Sequence, residues 1–353
     1  MKFLLRDEAR ETERRTPIIP PHAAALVESG IQLDVESSEK RIFSDHEYEQ
    51  AGCRLVPSAT WTGVSADTLI VGLKELPERP LNLNCRMVHF AHVFKEQTGW
   101  QTELKRFSRG GGSLYDIEYL TRSNGRRVAA FGYWAGWMGA ALAVWRYLAI
   151  EAGEPGPDRA LVSFDSREEI VEKIKTLAGQ VNSTPKAIVI GAKGRSGCGA
   201  VAALNIAGAE ITEWDIEETK NLDRDALFSH EILVNCVLVN GPGLLLATPE
   251  HLSSSSCHLR MISDVACDPF SSFNPLPVYG EPTSWQEPFI SLGKNGQGGN
   301  IELTSIDNLP SLIPKESSED FSEQFLPSLM NFDQGEEWLA AKAIFEQKLK
   351  EIQ

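Results

Sequence analysis

Short runs of aliphatic and β-branched residues recur along both halves of this 353-residue chain, each followed by turn chemistry and then a helical stretch. In the first half the runs are Lys2–Arg6, Ile31–Val35, Thr68–Gly72 and Met87–Ala91. In the second they are Ala187–Ile190, Glu210–Asp215, Ile232–Val239 and Leu303–Ile306. Helical segments fall between them: Ala23–Ser29 behind Pro20-Pro21, one capped by Asp45 and stopped at Gly52, Ser166–Val181, Ala200–Ala207, and the closing Gly335–Ile352. Strands separated by helices imply a parallel sheet covered on both faces. The chain is long for one core and natural for two domains. Phe131–Ile150, rich in Gly, Ala and Trp, reads as a tightly packed helix linking them, with its aromatic residues in the core. Ser253–Ser256 and the glycine-rich Gly293–Asn300 read as flexible loops.

Charge narrows the partners. Lys plus Arg number 34 against 49 Asp plus Glu, a net charge of −15, which argues against nucleic acid but not against a local basic pocket for an anion. The amino terminus lacks the apolar run of a signal peptide, and the longest uncharged stretch, Phe131–Trp145, is too short to span a bilayer. The six cysteines are scattered without CxxC spacing and read as buried reduced thiols. A soluble cytoplasmic protein with no membrane partner is the expectation.

Three segments carry chemistry. Gly191-x-x-Gly194-x-x-Gly197 follows an apolar strand and opens a helix, where backbone amides can approach a pyrophosphate. Its spacing departs from GxGxxG, and an ordinary strand–helix turn is the competing reading. Asp215, ending the next strand, suits ribose hydroxyls and favours NAD over NADP, while Arg195 leaves open a phosphate contact that tolerates NADP. Lys74, just past a buried-looking strand and beside Glu75, stands where ligands bind in an open α/β sheet. Desolvation there moves a lysine toward a general base, although a snorkelling surface lysine is the plainer alternative. His89 and His92 follow the next strand; a metal is not expected, since no third ligand is at hand. Arg126-Arg127, like Arg14-Arg15, fit either a carboxylate clamp or a solvated turn.

The ordered set Ile70-Val71-Gly72-Leu73-Lys74-Glu75, Phe90-Ala91-His92 with Lys95, Gln97-Thr98-Gly99-Trp100, Leu114-Tyr115-Asp116 and Gly125–Gly132 resembles the NAD-dependent, lysine-forming saccharopine dehydrogenase family. Ile190-Gly191-Ala192 with Gly194-Arg195, Trp214-Asp215-Ile216, Ser305-Ile306-Asp307 and Leu309–Leu312 extend the resemblance over nearly the whole length. It implies two Rossmann-like domains with parallel twisted sheets, within the wider alanine dehydrogenase and transhydrogenase group. The active site is expected in the cleft between them. A substrate domain would comprise residues 1–132 and 305–353, and an NAD-binding domain residues 133–304. The implied reaction converts saccharopine, NAD⁺ and water to lysine, 2-oxoglutarate and NADH, so the small-molecule partners are an amino acid and a 2-oxo acid. On matching positions, Lys74 resembles the base for the secondary amine and His92 the acid–base group for imine hydration and collapse. Arg15, Gln97, Arg127 and Phe131 match substrate positions, as does Lys74. Arg126, Gly191, Gly194, Arg195, Asp215, Val265, Ile306, Asp307, Asn308 and Leu309 match cofactor positions. Glu75 and Glu118 lie where carboxylates would tune the acid–base groups. The family precedent leans monomeric, and the Trp134–Trp145 helix leaves a dimer open.

The chain departs from the pattern where Ala266-Cys267-Asp268-Pro269 replaces a Ser-Ala-Asp run at the substrate, and where Ser196 stands in place of a cysteine. A disulfide from that turn to Cys236 is therefore not carried over. These changes keep two alternatives open: a related opine-type dehydrogenase joining another amine and keto acid, or a non-catalytic NAD-binding regulatory module. An alanine-type deaminating enzyme fits less well.

Overall fold

A computed structural model describes residues 1–94, 99–239 and 241–352. The chain divides into two compact units, Met1–Ala130 with Pro314–Gln353, and Phe131–Ile313.

The first unit runs β1 (Lys2–Leu5), α1 (Pro20–Glu28), β2 (Gln32–Glu36), α2 (Asp45–Gln50), β3 (Arg54–Val56), β4 (Leu69–Val71), β5 (Arg86–His89), α3 (Trp100–Gly110) and β6 (Ser113–Asp116). Its six strands are all parallel in the order β3-β2-β1-β4-β5-β6, the doubly wound arrangement. Alternation places Leu4, Ile70, Met87 and Leu114 in one core with Phe107 of α3. Ser44, not Asp45, caps α2: its hydroxyl accepts from the Glu47 N–H, while the Glu47 carboxylate accepts from the Ser44 N–H. The runs expected as Thr68–Gly72 and Met87–Ala91 end at Val71 and His89, which leaves Lys74 and His92 in the loops beyond.

The second unit opens with α4 (Gly132–Ala152) and α5 (Glu168–Ala178). It continues with β7 (Lys186–Ile190), α6 (Arg195–Ile206), β8 (Glu210–Trp214), α7 (Ile216–Lys220), α8 (Arg224–Phe228), β9 (Ile232–Asn235), α9 (Pro249–Leu252), β10 (Met261–Asp264), β11 (Ile290–Lys294) and β12 (Asn300–Thr304). The strand order is β11-β12-β10-β9-β7-β8, parallel except for β11. The stretch Gly293–Asn300 is therefore not a free loop. It forms the turn of an antiparallel hairpin with a register shift between Ser291 and Gly293. Along β7, Ala187 and Val189 join one apolar cluster and Ile188 and Ile190 the other, so both faces of the sheet are covered. α4 is buried along most of its length, with Trp134, Trp137 and Trp145 in the core. Its crossing with α6 is backbone to backbone: a β-carbon on Gly136 would lie 1.8 Å from the Ser196 carbonyl oxygen, and one on Gly199 2.0 Å from that of Tyr133.

The chain returns to the first unit through α10 (Pro314–Met330) and α11 (Glu336–Glu351). There Phe332 and Trp338 meet Tyr115, and Phe332 also meets Phe3, on the other face of the sheet. Among the described residues no helix is long and apolar enough to cross a membrane. All six cysteines are free, but only Cys53, Cys85 and Cys257 are buried; Cys198 is exposed, and Cys236 and Cys267 are half-buried.

Candidate active site

In each sheet the strand order reverses once, and ligands of open α/β sheets bind beyond the carboxyl ends of the strands at that point. In the first unit the reversal lies between β1 and β4. The segments leaving those strands carry Arg6, Glu8, Glu13, Arg15, Lys74 and Glu75. Glu8 is buried and receives the Leu73 and Lys74 N–H groups at 2.7 and 3.0 Å, one on each oxygen. Arg6 donates to both Glu8 and the Lys74 carbonyl, at 2.8 and 2.9 Å. Gly72 fits beneath this pair, where a β-carbon would stand 3.0 Å from the Arg6 Nε. The Lys74 backbone is thus fixed from below by a buried ion pair. Burial pushes the Glu8 carboxyl above its ordinary range despite Arg6 and the two amides.

Around the lysine, Glu13 grips Arg15 in a buried two-point pair, Nε to Oε1 at 2.8 Å and Nη2 to Oε2 at 2.7 Å. Burial opposes ionisation of Glu13, but Arg15 and then Lys74 hold its carboxyl below the usual range. Glu75, paired with Arg10, is also held low: burial again opposes, and Arg10, the Glu75 backbone and Lys74 prevail. The Lys74 ammonium therefore works among carboxylates.

One strand over, β5 and β6 end in register at His89 and Asp116. His92 leaves β5 with φ +56°, a left-handed backbone uncommon for a residue with a β-carbon. Its Nδ1 lies 3.1 Å from the Glu118 Oε2, and its ring stacks on Phe90 with centroids 6.1 Å apart. Asp116, fully buried, accepts the His92 N–H on one oxygen and the Glu118 N–H on the other, each at 3.0 Å. Burial raises its carboxyl to about 6, against the amides of Glu118 and His92 and the charge of the imidazole. Glu75, His89, His92, Trp100 and Glu103 line a pocket of about 190 Å³. His89 is buried and neutral, its pKa lowered to about 3 first by desolvation and then by Arg6.

In the second unit the reversal lies between β7 and β9. Gly191 leaves β7 at φ +80°, Gly194 caps α6, and the helix begins at Arg195, five residues earlier than the sequence suggested. A β-carbon on Gly197 would come within 2.1 Å of the Gly191 carbonyl oxygen, so that position admits only glycine. The first turn of α6, entered from the glycine turn, is the kind of helix start that suits a dinucleotide phosphate. Asp215 caps α7 and accepts the Lys193 N–H at 3.0 Å and the Ile216 N–H at 2.8 Å, which joins the glycine turn to the end of β8. At the end of β10, buried Asp264 accepts from the Asn235 Nδ2 at 2.9 Å and the Tyr279 hydroxyl at 2.6 Å. Its carboxylate also accepts the backbone N–H groups of Cys267 and Ala266, the former at φ +50° with its thiol 3.5 Å from the Ser305 carbonyl. Burial pushes the Cys267 thiol up to about 11. β9 stops at Asn235 rather than Val239 because the Asn235 side chain turns back onto the Val237 N–H.

The remaining sequence candidates are placed as follows. Arg126 and Arg127 are exposed on a tight turn closed by a bridge between Thr121 and Arg127. Phe131 precedes α4 as its cap residue. Val265 follows β10, and Asp268 lines a small crevice with Ala266 and Asp264. Ile306 and Leu309 are buried, while Asp307 is exposed and Asn308, at φ +66°, donates to the Ser311 hydroxyl at 2.6 Å. Gln97 lies outside the described residues. Sequence reasoning missed Glu8, Asp116 and Asp264 as site groups. Their position at strand ends was the available signal, but their partners lie 24 to 66 residues away.

Known proteins fit this geometry. The family model "Alanine dehydrogenase/PNT, N-terminal domain" matches residues 4–138. The chain is 38% identical to Saccharopine dehydrogenase [NAD(+), L-lysine-forming] of Neurospora crassa, over 98% of this chain and 95% of that one. It is 39% identical to the protein of the same name from Emericella nidulans, over 99% and 97% respectively. Among solved structures, an L-alanine dehydrogenase superposes with a TM-score of 0.70 at 19% identity, covering 100% of this chain and 99% of the other.

Proposed function

The chain belongs to the NAD⁺-dependent, L-lysine-forming saccharopine dehydrogenase family, and from that premise we propose how its two units share the work. It is an NAD-dependent oxidoreductase acting on a CH–NH bond: saccharopine, NAD⁺ and water give L-lysine, 2-oxoglutarate, NADH and a proton. NAD, when bound, supplies the hydride acceptor. The residues that would hold it are Gly191, Gly194, Arg195 and Asp215, with Val265 and the Ile306–Leu309 segment; Arg126 matches a further cofactor position of the family. The close glycine turn and its entry into α6 support that reading.

The acid–base work belongs to the first unit. Lys74 takes the proton of the substrate's secondary amine, and the carboxylates of Glu13 and Glu75 that it faces set its charge balance. His92 moves protons to and from the water that adds to the imine carbon and then through collapse to lysine and keto acid. Glu118 holds the imidazole and balances its charge at 3.1 Å. The observation that carries this assignment is that Lys74 and His92 each leave a strand end on a backbone fixed by a buried carboxylate. Arg15, Gln97, Arg127, Phe131 and the Ala266–Asp268 turn are assigned to substrate, with Arg15 delivered in one orientation by Glu13. Six free thiols support a reducing compartment, and we place the enzyme in the cytoplasm, in lysine biosynthesis.

The test is NADH consumption followed by absorbance with lysine plus 2-oxoglutarate, in parallel with NADPH and with ammonia replacing lysine. Loss of NADH that requires lysine is the expected result. Turnover with ammonia and pyruvate alone would move the chain to the alanine type, and NADH binding without turnover on any amine and keto acid would sink the catalytic reading.

A further inference from the structure

We propose that Asp116 is a positioning residue of the reaction: one buried carboxylate fixes both members of the His92–Glu118 pair and thereby aims the imidazole. This rests on the reading of His92 as the acid–base group. The two residues come from different segments, the loop after β5 and the 3₁₀ turn after β6, and nothing in the chain connects them locally. Asp116 is the last residue of β6, with no solvent exposure, and its two oxygens are divided between them. Oδ2 accepts the His92 N–H and Oδ1 the Glu118 N–H, each at 3.0 Å. Their side chains then meet at 3.1 Å.

Three further observations fit a clamp rather than a filler. His92 is at φ +56°, which a residue with a β-carbon adopts only where its surroundings enforce it, and the Asp116 bond falls on that residue's own N–H. Among the described residues the imidazole is the cationic influence on this deeply buried carboxylate. Finally, an asparagine could not substitute. Its amide nitrogen would point at one of the two N–H groups, donor against donor, so one arm of the clamp would always be lost.

The experiment is a double-mutant cycle with Asp116→Asn and His92→Gln, measuring kcat, KM for lysine and NADH affinity by fluorescence. Asp116→Asn alone is expected to lower kcat about tenfold to a hundredfold, as a misaimed group does, with NADH affinity unchanged. In the His92→Gln background the same substitution is expected to cost less than about twofold, because there is no imidazole left to aim. An equal loss in both backgrounds, or no loss in either, overturns the proposal. If His92→Gln itself leaves turnover intact, the catalytic reading of His92 fails, and the crystal structure of Asp116→Asn decides positioning. A His92–Glu118 pair separated beyond hydrogen-bond distance supports it; a pair unchanged at 3.1 Å overturns it. Amide hydrogen exchange on the unsubstituted protein needs no variant to fold: strong protection of the His92 and Glu118 N–H groups is expected, and exchange at loop rates overturns the clamp.

Discussion

The strand ends of the two units are built from different materials. In the first unit they are crowded with buried or half-buried ionisable groups: Arg6, Glu8, Glu13, Arg15, Lys74, Asp116 and Glu118. In the second they carry glycines, Asn235, Asp264, Tyr279 and Ser305. The two buried aspartates make the contrast sharp. Burial raises both, but Asp116 feels the charge of the His92 imidazole, whereas Asp264 is satisfied by the Asn235 amide and the Tyr279 phenol. A unit that must exchange protons needs groups whose charge responds to their neighbours, and it pairs them tightly because each unpaired buried charge costs several kcal/mol. A unit that must cradle a cofactor needs close backbone approach, which charged side chains would obstruct. On the proposed division of labour, proton handling and cofactor binding are expected to be separable by mutation.

The strongest way to break that comparison is the Lys74→Met, His92→Gln double variant. It is expected to lower kcat by about a thousandfold, roughly 4 kcal/mol, while NADH still binds with its original affinity. Loss of NADH binding in that variant would show that the two functions are not separable.

The next effect is on stability and follows from Asp116. Its folded carboxyl titrates at about 6, against 3.8 for the ordinary group. Its folded state thus holds the proton more tightly, so this contribution is fully present below the unfolded value and is lost as pH rises through about 6. The span corresponds to roughly 3 kcal/mol. Urea denaturation at pH 4 and pH 7 should show the unsubstituted protein losing this increment relative to Asp116→Asn, and parallel behaviour of the two would refute the assignment. The corresponding pair for Asp264→Asn tests whether the second unit responds in the same direction.

On the other side of the comparison, Gly136→Ala drives a methyl group into the Ser196 carbonyl at the root of the glycine turn. It should cost about 1–3 kcal/mol and weaken NADH affinity about tenfold, read by thermal melting and fluorescence titration. Substrate acid–base behaviour, measured as the pH profile of kcat at saturating NADH, should not move. The smallest effect is expected from Asp215→Ala, which removes a cap on α7 and the link to Lys193. About 1 kcal/mol of stability should be lost, and discrimination between NADH and NADPH should narrow; unchanged discrimination would take Asp215 out of the ribose site.

Much of this was legible because it is local. Apolar runs announced β1, β2, β4 and β5 in the first sheet and β7, β8, β9 and β12 in the second, and glycine spacing announced the turn into α6. α10 was invisible for a physical reason. Its first half buries Ser317, Ser318 and Ser322, two of whose hydroxyls accept the Thr16 and Ile19 N–H groups at 2.9 and 3.1 Å, so the apolar stripe of Phe321, Phe325 and Leu329 covers only its second half. β6 is four residues long and follows three glycines, too brief to register as a strand. The hairpin at Gly293–Asn300 read as a loop because glycine serves both a turn and a bulge.

By itself, then, the sequence determined the alternation of strand and helix, the glycine turn and the strand-end placement of Lys74 and His92, since each depends on residues within a few positions of one another. The tertiary structure alone decided which groups hold them. Glu8 reaches the Lys74 N–H across 66 positions and Asp116 the His92 N–H across 24, contacts that exist only once the parallel strands are in register. Buried carboxylates carry no local pattern, because what makes them tolerable is the amide or cation brought to them by the fold.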